Sequence, residues 1–219
     1  MKIVSLFCGA GGLDLGLISA GHKVIWATDI DKHAIDSYNH NIGNHGHVGD
    51  IKEIDINDIP ACDLVVGGFP CQGFSVANTG RFAEDTRNQL YLELLRVIKG
   101  KNPPLFLAEN VKGLLSLEKG RIFKIILKDF ESLGYKVKYK VLNAADYGVP
   151  QKRQRLIMVG VRNDIDYEYK FPDETHAPID KCQLLGLKPW VSIGSALADI
   201  PEPEESPHIL NHTYSKYKL

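Results

Sequence analysis

The sequence predicts an α/β fold: a mostly parallel sheet between helices, finished by a C-terminal antiparallel hairpin strand. Three observations carry this. Short apolar runs alternate with helix-length amphipathic segments along the first 160 residues. Several of those runs are continuously apolar, as strands buried on both faces are. The runs end in glycine turns or in single polar residues, the positions where open α/β sheets bind ligands.

Taken in order, Ile3-Val4-Ser5-Leu6 is a first strand, followed by a glycine turn and a helix from about Leu13 to Ala20, stopped by Gly21. Val24 to Ala27 is a second strand, running into Thr28-Asp29-Ile30. A helix follows from Lys32 to His40, where Ala34, Ile35 and Tyr38 share a face. Val48 leads to a strand end at Gly49-Asp50. Leu64-Val65-Val66 is a buried strand entering Gly67-Gly68-Phe69-Pro70-Cys71. The next helix carries Leu90, Leu94, Leu95, Val97 and Ile98, and Pro103-Pro104 closes it. Leu105 to Ala108 is a strand that delivers Glu109-Asn110, and Ile122 to Leu133 is an amphipathic helix. Lys136–Leu142 and Arg155–Val161 form two strands joined by a loop through Tyr147-Gly148-Val149-Pro150-Gln151. Beyond Arg162, prolines at 172, 178, 189, 201, 203 and 207 leave room for little more than a short helix around Ser195. The division expected is a domain over 1–176 and an extension over 177–219.

Composition bounds the function. The 219 residues carry a net charge of -1, with 44% hydrophobic and 24% charged residues, which is ordinary for a globular protein. No run spans a bilayer and no signal peptide opens the chain. The four cysteines form no Cys-x-x-Cys pair, so reduced thiols in a cytoplasm are expected. Near-neutral charge argues mildly against a chain that holds DNA unaided. His40, His45 and His47 could ligate a metal or belong to an ordinary polar loop, and no metal is expected.

The chemistry gathers at the strand ends. Phe7-Cys8-Gly9-Ala10-Gly11-Gly12 follows the first strand, and a glycine loop there lets backbone approach a ligand, or serves only as a tight turn. Asp14 stands where a dinucleotide fingerprint has its third glycine. Asp29 lies some twenty residues on, the separation at which a carboxylate meets a ribose hydroxyl. A cysteine in an apolar run is by default inert core, but Cys71 is followed by polar, flexible residues that suit an activated thiolate. Glu109 is costly to bury without a partner, and a structural ion pair is its plainer explanation. Arg153 and Arg155 alternate onto one face, or belong to a solvated basic turn.

Phe7 to Gly12, Gly68-Phe69-Pro70-Cys71-Gln72-Gly73-Phe74-Ser75, Glu109-Asn110-Val111 and Gln151-Lys152-Arg153-Gln154-Arg155 stand in one order. Together with Asp85-Thr86-Arg87 and Asn143 through Pro150, they resemble the leading motifs of the cytosine-C5 DNA methyltransferases, over roughly residues 1 to 176. The resemblance implies a Rossmann-like, S-adenosylmethionine-dependent sheet, with S-adenosylhomocysteine as product. It implies cofactor contacts from Phe7, Gly9, Ala10, Gly11 and Gly12, the ribose on Asp29, and the adenine near Asp50 and Ile51, with Pro70 and Leu90 closing the pocket. Ile30 stands where a large aromatic often follows the ribose-binding acid. Cys71 would add to cytosine C6, Glu109 would stabilise charge at N3, Arg155 would hold O2 and Arg153 would steady a loop or phosphate. The target base would be flipped out of double-stranded DNA.

The family's late motifs and variable recognition region have no counterpart here. The resemblance therefore implies a second polypeptide for target recognition, or a truncation, in a prokaryotic or phage cytoplasm. Methylation of tRNA and a catalytically silent binding subunit are the alternative readings.

Overall fold

A computed structural model describes residues 1–70 and 89–201 of the 219-residue chain. It starts with β1 (Lys2–Leu6), α1 (Gly12–Ser19), β2 (Lys23–Asp29), α2 (Lys32–Asn41), β3 (Gly46–Val48) and β4 (Leu64–Gly67). There follow α3 (Gln89–Lys101), β5 (Leu105–Val111), α4 (Arg121–Ser132), β6 (Tyr135–Asn143) and β7 (Gln154–Arg162). These seven strands form one sheet in the order β3-β2-β1-β4-β5-β7-β6. The pairs β3·β2, β2·β1, β1·β4 and β4·β5 are parallel, whereas β7 runs antiparallel to β5. The expected architecture is therefore the observed one.

Every residue of β4 is buried, as is all of β1 after Lys2, because helices cover both faces of the sheet. The strand alternation sorts the core. Ile3, Leu64 and Val66 pack with Tyr38 and with the partly buried Leu17 and Ile18 on the α1/α2 side. Val4, Leu6 and Val65 face Leu94, Ile98, Ile126 and Phe130 on the α3/α4 side. There Phe106 stacks on Phe130 at 4.5 Å and meets Tyr135 edge-on at 5.1 Å.

Gly160 of β7 makes that aromatic cluster possible, since a Cβ on it would lie 1.9 Å from Phe106 Cε1. Gly160→Ala is expected to destabilise the fold by about 1–3 kcal/mol, because a fully buried ring must leave its rotamer. Equilibrium urea unfolding checks this, and an unchanged midpoint would contradict it.

The described residues divide into two compact units, 1–70, 89–142 and 154–171 in the first and 143–153 with 172–201 in the second. The second contains β8 (His176–Ala177) parallel to β9 (Lys188–Pro189), and the short helices α5 (Ile179–Leu185) and α6 (Ile193–Leu197). The helix expected around Ser195 is α6, and α5 is additional. Pro178 precedes α5 and Gly186 ends it with φ +66, so the proline-rich segment caps a helix rather than forbidding one. Within this unit Asp146 Oδ1 accepts from Trp190 Nε1 at 2.9 Å, and Lys152 lies 5.0 Å over the Trp190 ring. Among the described residues no helix is long and apolar enough to cross a membrane.

Candidate active site

Strand order reverses about β1, which has β2 on one side and β4 on the other. A crevice at the carboxyl ends of the strands is the expected binding place at such a switch point. A cavity of about 400 Å³ lies there, a size suited to a small-molecule ligand. Its lining includes Phe7, Asp29, Ile30, Asp50, Ile51, Pro70 and Leu90, so seven of the sequence-predicted cofactor residues are brought together. Thr28, Gly49, Lys52 and Gly68 complete it.

The glycine loop is not part of the lining but is fixed beside it. Phe7 turns the chain out of β1 with φ +54, a left-handed conformation uncommon for an aromatic residue. The Gly9 N–H donates to Asp29 Oδ2 at 2.8 Å, while Asp29 Oδ1 accepts from the Asp31 N–H at 3.0 Å. Backbone donors thus hold both carboxylate oxygens of Asp29 in place, leaving lone pairs for a hydroxyl donor. Behind the loop, Gly11 has φ +86, and a Cβ on it would lie 2.1 Å from Ile42 Cδ1 and 2.7 Å from the Tyr38 ring.

Asp14, in the first turn of α1, is 1% exposed. It accepts from Ser5 Oγ at 2.7 Å and from Tyr38 Oη at 2.9 Å, and Tyr38 Oη also meets His45 Nε2 at 3.1 Å. The position that departs from the dinucleotide fingerprint is therefore a buried tie between β1, α1 and α2. His47 stacks on Trp26 at 5.5 Å, so two of the three loop histidines have packing roles. Burial raises the Asp14 carboxyl pKa above the usual range, and the two hydrogen bonds oppose the shift only in part. A carboxyl with a raised folded-state pKa contributes stability that is fully present below its unfolded value near about 4 and is lost as pH rises through the folded value. The stability of Asp14→Asn minus that of the native chain should therefore increase as pH is raised across that window. Thermal melts of both proteins from acid to neutral pH measure it, and parallel pH curves would contradict it.

The second cluster sits where β4 and β5 end and β7 begins. Arg155 pairs opposite Val111, two residues beyond Glu109 on the same face of β5, so Arg155 and Glu109 are diagonal neighbours. Arg155 Nε and Glu109 Oε1 are 2.7 Å apart, and both side chains are about a quarter exposed. Glu109 Oε2 lies against Gly68, where a Cβ would approach within 3.1 Å. Asn110 is 2% exposed; its Nδ2 donates to the Phe69 carbonyl at 2.9 Å, and its Oδ1 accepts from the Val111 N–H at 2.8 Å. Two buried strand ends are thereby locked together one residue before Pro70.

Cys71 lies outside the described residues. Of the other cysteines, burial pushes Cys8 up to about 12, with Asp14 and Asp29 adding to the shift, and Cys62 up to about 11. Both are thiols, not thiolates, near neutral pH. Arg153 is exposed, precedes β7 by one residue and belongs to the second unit, whereas Arg155 belongs to the first.

The family model for C-5 cytosine-specific DNA methylases matches residues 1–219. The chain belongs to that family. Similar curated relatives include the type II methyltransferase M.NgoFVII of Neisseria gonorrhoeae, 44% identical over 211 residues, and M.BspRI of Lysinibacillus sphaericus, 41% identical over 229. These alignments cover 95% and 91% of this chain but only 56% and 52% of the relatives, so the chain spans about half their length. A crystal structure of an E. coli prophage-encoded protein described as a DNA modification methyltransferase superposes with TM-score 0.72 at 29% identity. It covers 92% of this chain and 56% of that one. The S. pombe Dnmt2 methyltransferase shares the fold at TM-score 0.63 and 23% identity, covering 84% of this chain and 55% of its own.

Set beside the family's leading motifs, the geometry adds residues that the sequence reading passed over. Asn110, in the Glu109-Asn110-Val111 motif, is the side chain that ties β5 to the Phe69-Pro70 segment. Asp14 was noted as a departure, and its partners Ser5 and Tyr38 lie 9 and 24 residues away. Arg96, which holds the loop after Asp50 from 42 and 45 residues away, gave no sequence signal.

Proposed function

We propose that this chain is the cofactor-binding and catalytic part of an enzyme that methylates C5 of cytosine in double-stranded DNA. Target recognition would come from the other half of the length that such relatives have, with residues 177–219 leading toward it. The observation that carries the proposal is the Glu109–Arg155 pair beside Gly68, at the rim of a cavity whose walls bear Asp29 and Asp50.

S-adenosylmethionine, when bound, supplies an electrophilic methyl group. Asp29 would hold its ribose hydroxyls, Asp50 and Ile51 would meet the adenine, and Phe7, Ile30, Pro70 and Leu90 would exclude water around it. Cytosine C5 is a poor nucleophile, and the chain's groups would correct that in a balanced sequence. The Cys71 thiolate adds to C6, the C5=C6 electron pair shifts toward C5, and Glu109 delivers or shares a proton at N3. Arg155 would neutralise charge at O2 while orienting Glu109 through Oε1, which leaves Oε2 for the base. After C5 takes the methyl group, a base removes the C5 proton. The C5–H bonding pair then re-forms C5=C6 as the C6–S pair returns to sulfur, and the N3 proton goes back to Glu109, which restores the aromatic ring. Arg153 would steady a loop or a phosphate. The base must leave the duplex for any of this to occur.

Transfer of labelled methyl groups to DNA and to tRNA, with and without a polypeptide carrying the family's later region, tests the reading. DNA methylation that is lost in Cys71→Ser, and a covalent adduct with 5-fluorocytosine DNA, are the expected results. Label on tRNA alone, or full activity of Cys71→Ser, would overturn the substrate or the mechanism respectively.

A further inference from the structure

The wall of the cavity formed by Asp50, Ile51 and Lys52 is held both from within and from α3. Within this segment Asp50 Oδ1 accepts the Lys52 N–H at 3.0 Å and the Asp50 carbonyl accepts the Glu53 N–H at 2.9 Å. The carbonyls of Ile51 and Ile54 are instead taken from outside by one side chain. Arg96 Nη2 donates to them at 2.7 and 3.2 Å, and Arg96 Nε lies 2.6 Å from Glu93 Oε2, three residues earlier on α3. Glu93 thus fixes the guanidinium plane, and Arg96 fixes the loop. A second contact seats the continuation of the segment on the same helix. Gly100, four residues beyond Arg96, leaves the space that Ile56 fills, where a Cβ would lie 2.5 Å from Ile56 Cγ1. The other end of α3 reaches the cavity directly through Leu90.

We infer that Arg96, oriented by Glu93, is a positioning residue for the nucleoside end of the cofactor. It does not line the cavity, and it sets where Asp50 and Ile51 stand. The inference rests on the cofactor reading given above. A guanidinium holding two carbonyls by charge-assisted bonds is directional in a way that an ammonium is not. Arg96→Lys should therefore restore only part of what Arg96→Met removes.

Calorimetric titration of the chain with S-adenosylhomocysteine and with 5′-methylthioadenosine, which lacks the amino-acid end, tests this. Arg96→Met should weaken both ligands by the same factor, about tenfold, in keeping with the loss of hydrogen bonds to a charged group. Arg96→Lys should fall between Arg96→Met and the native chain, and Glu93→Gln should weaken both ligands by a smaller common factor. Arg121→Met, which breaks an Arg–Glu pair of the same i, i+3 spacing with Glu118, should leave both affinities unchanged. If Arg96→Met lowers the melting temperature but binds both ligands as the native chain does, the residue is only a structural tie and the inference falls. Should Arg96→Met not fold, unchanged affinities in Glu93→Gln and Arg96→Lys overturn it equally. A native chain that binds neither ligand removes the cofactor reading itself, and the inference with it.

Discussion

If the proposed function holds, Glu109→Gln is expected to reduce cytosine methylation by about 10²–10⁴-fold, the usual cost of losing a positioned acid–base group, while leaving the fold intact. The size follows from what the carboxylate does at both of its oxygens. Oε1 is engaged with Arg155 Nε at 2.7 Å, and Oε2 is turned toward Gly68, where the chain leaves β4 for Pro70 and Cys71. A glutamine keeps the shape and can still offer an oxygen to Arg155, but its amide cannot carry a proton to N3. With both groups about a quarter exposed, losing the charge pair should change stability little. Single-turnover methyl transfer to a cytosine-containing duplex is the measurement. A rate within a few-fold of native would show that N3 charge is stabilised by another group.

Arg155 should behave differently from Glu109, because its substitution leaves the Glu109 carboxylate without its cation. The register puts Arg155 opposite Val111 and diagonal to Glu109, so the pair is a property of the β5·β7 ladder. An antiparallel strand inserted between β5 and β6 is therefore what brings a residue 46 positions later onto Glu109. No parallel crossover could deliver it from such a short connection.

That insertion marks the limit of what was legible in the sequence. The strands beginning near Ile3, Val24, Leu64 and Leu105 were plain because parallel strands covered on both faces are continuously apolar, and the helices were plain from their 3.6-residue periodicity. The cavity residues Phe7, Asp29, Asp50 and Pro70 were legible because strand ends converge on one rim. Strand order was not, since nothing local tells β7 to pair with β5 as well as with β6. The ties that hold the rim were hidden for the same reason. Asn110 reaches Phe69 across 41 residues, Arg96 reaches Ile51 across 45, and Asp14 reaches Tyr38 across 24. Each is a polar residue with no periodic partner, and its role exists only after the sheet has assembled. Helix α5 was hidden by its own cap, because prolines suggest breakage until Pro178 is seen to start a helix.

Asn110→Ala should lower methyl transfer by about 10²-fold and stability by about 1–3 kcal/mol, and the two losses have one origin. The Phe69 carbonyl sits in a residue that is 2% exposed, and Asn110 Nδ2 is the side-chain donor that satisfies it. Alanine leaves that acceptor buried and unpaired, and also frees the Val111 N–H from Asn110 Oδ1. The chain can recover only by shifting the Phe69-Pro70 turn until water reaches the carbonyl. Pro70 is the last described residue before Cys71, so a shift of the order of an ångström there displaces the proposed nucleophile from cytosine C6. Asn110→Asp separates the two effects. Its Oδ1 can still accept from Val111, but it presents an acceptor to the Phe69 carbonyl, so repulsion at that one contact should impair turnover at least as much as alanine does. Denaturant unfolding and single-turnover transfer on both variants read the two consequences. Native turnover in a destabilised Asn110→Ala protein would show that the turn before Cys71 is held by something other than Asn110.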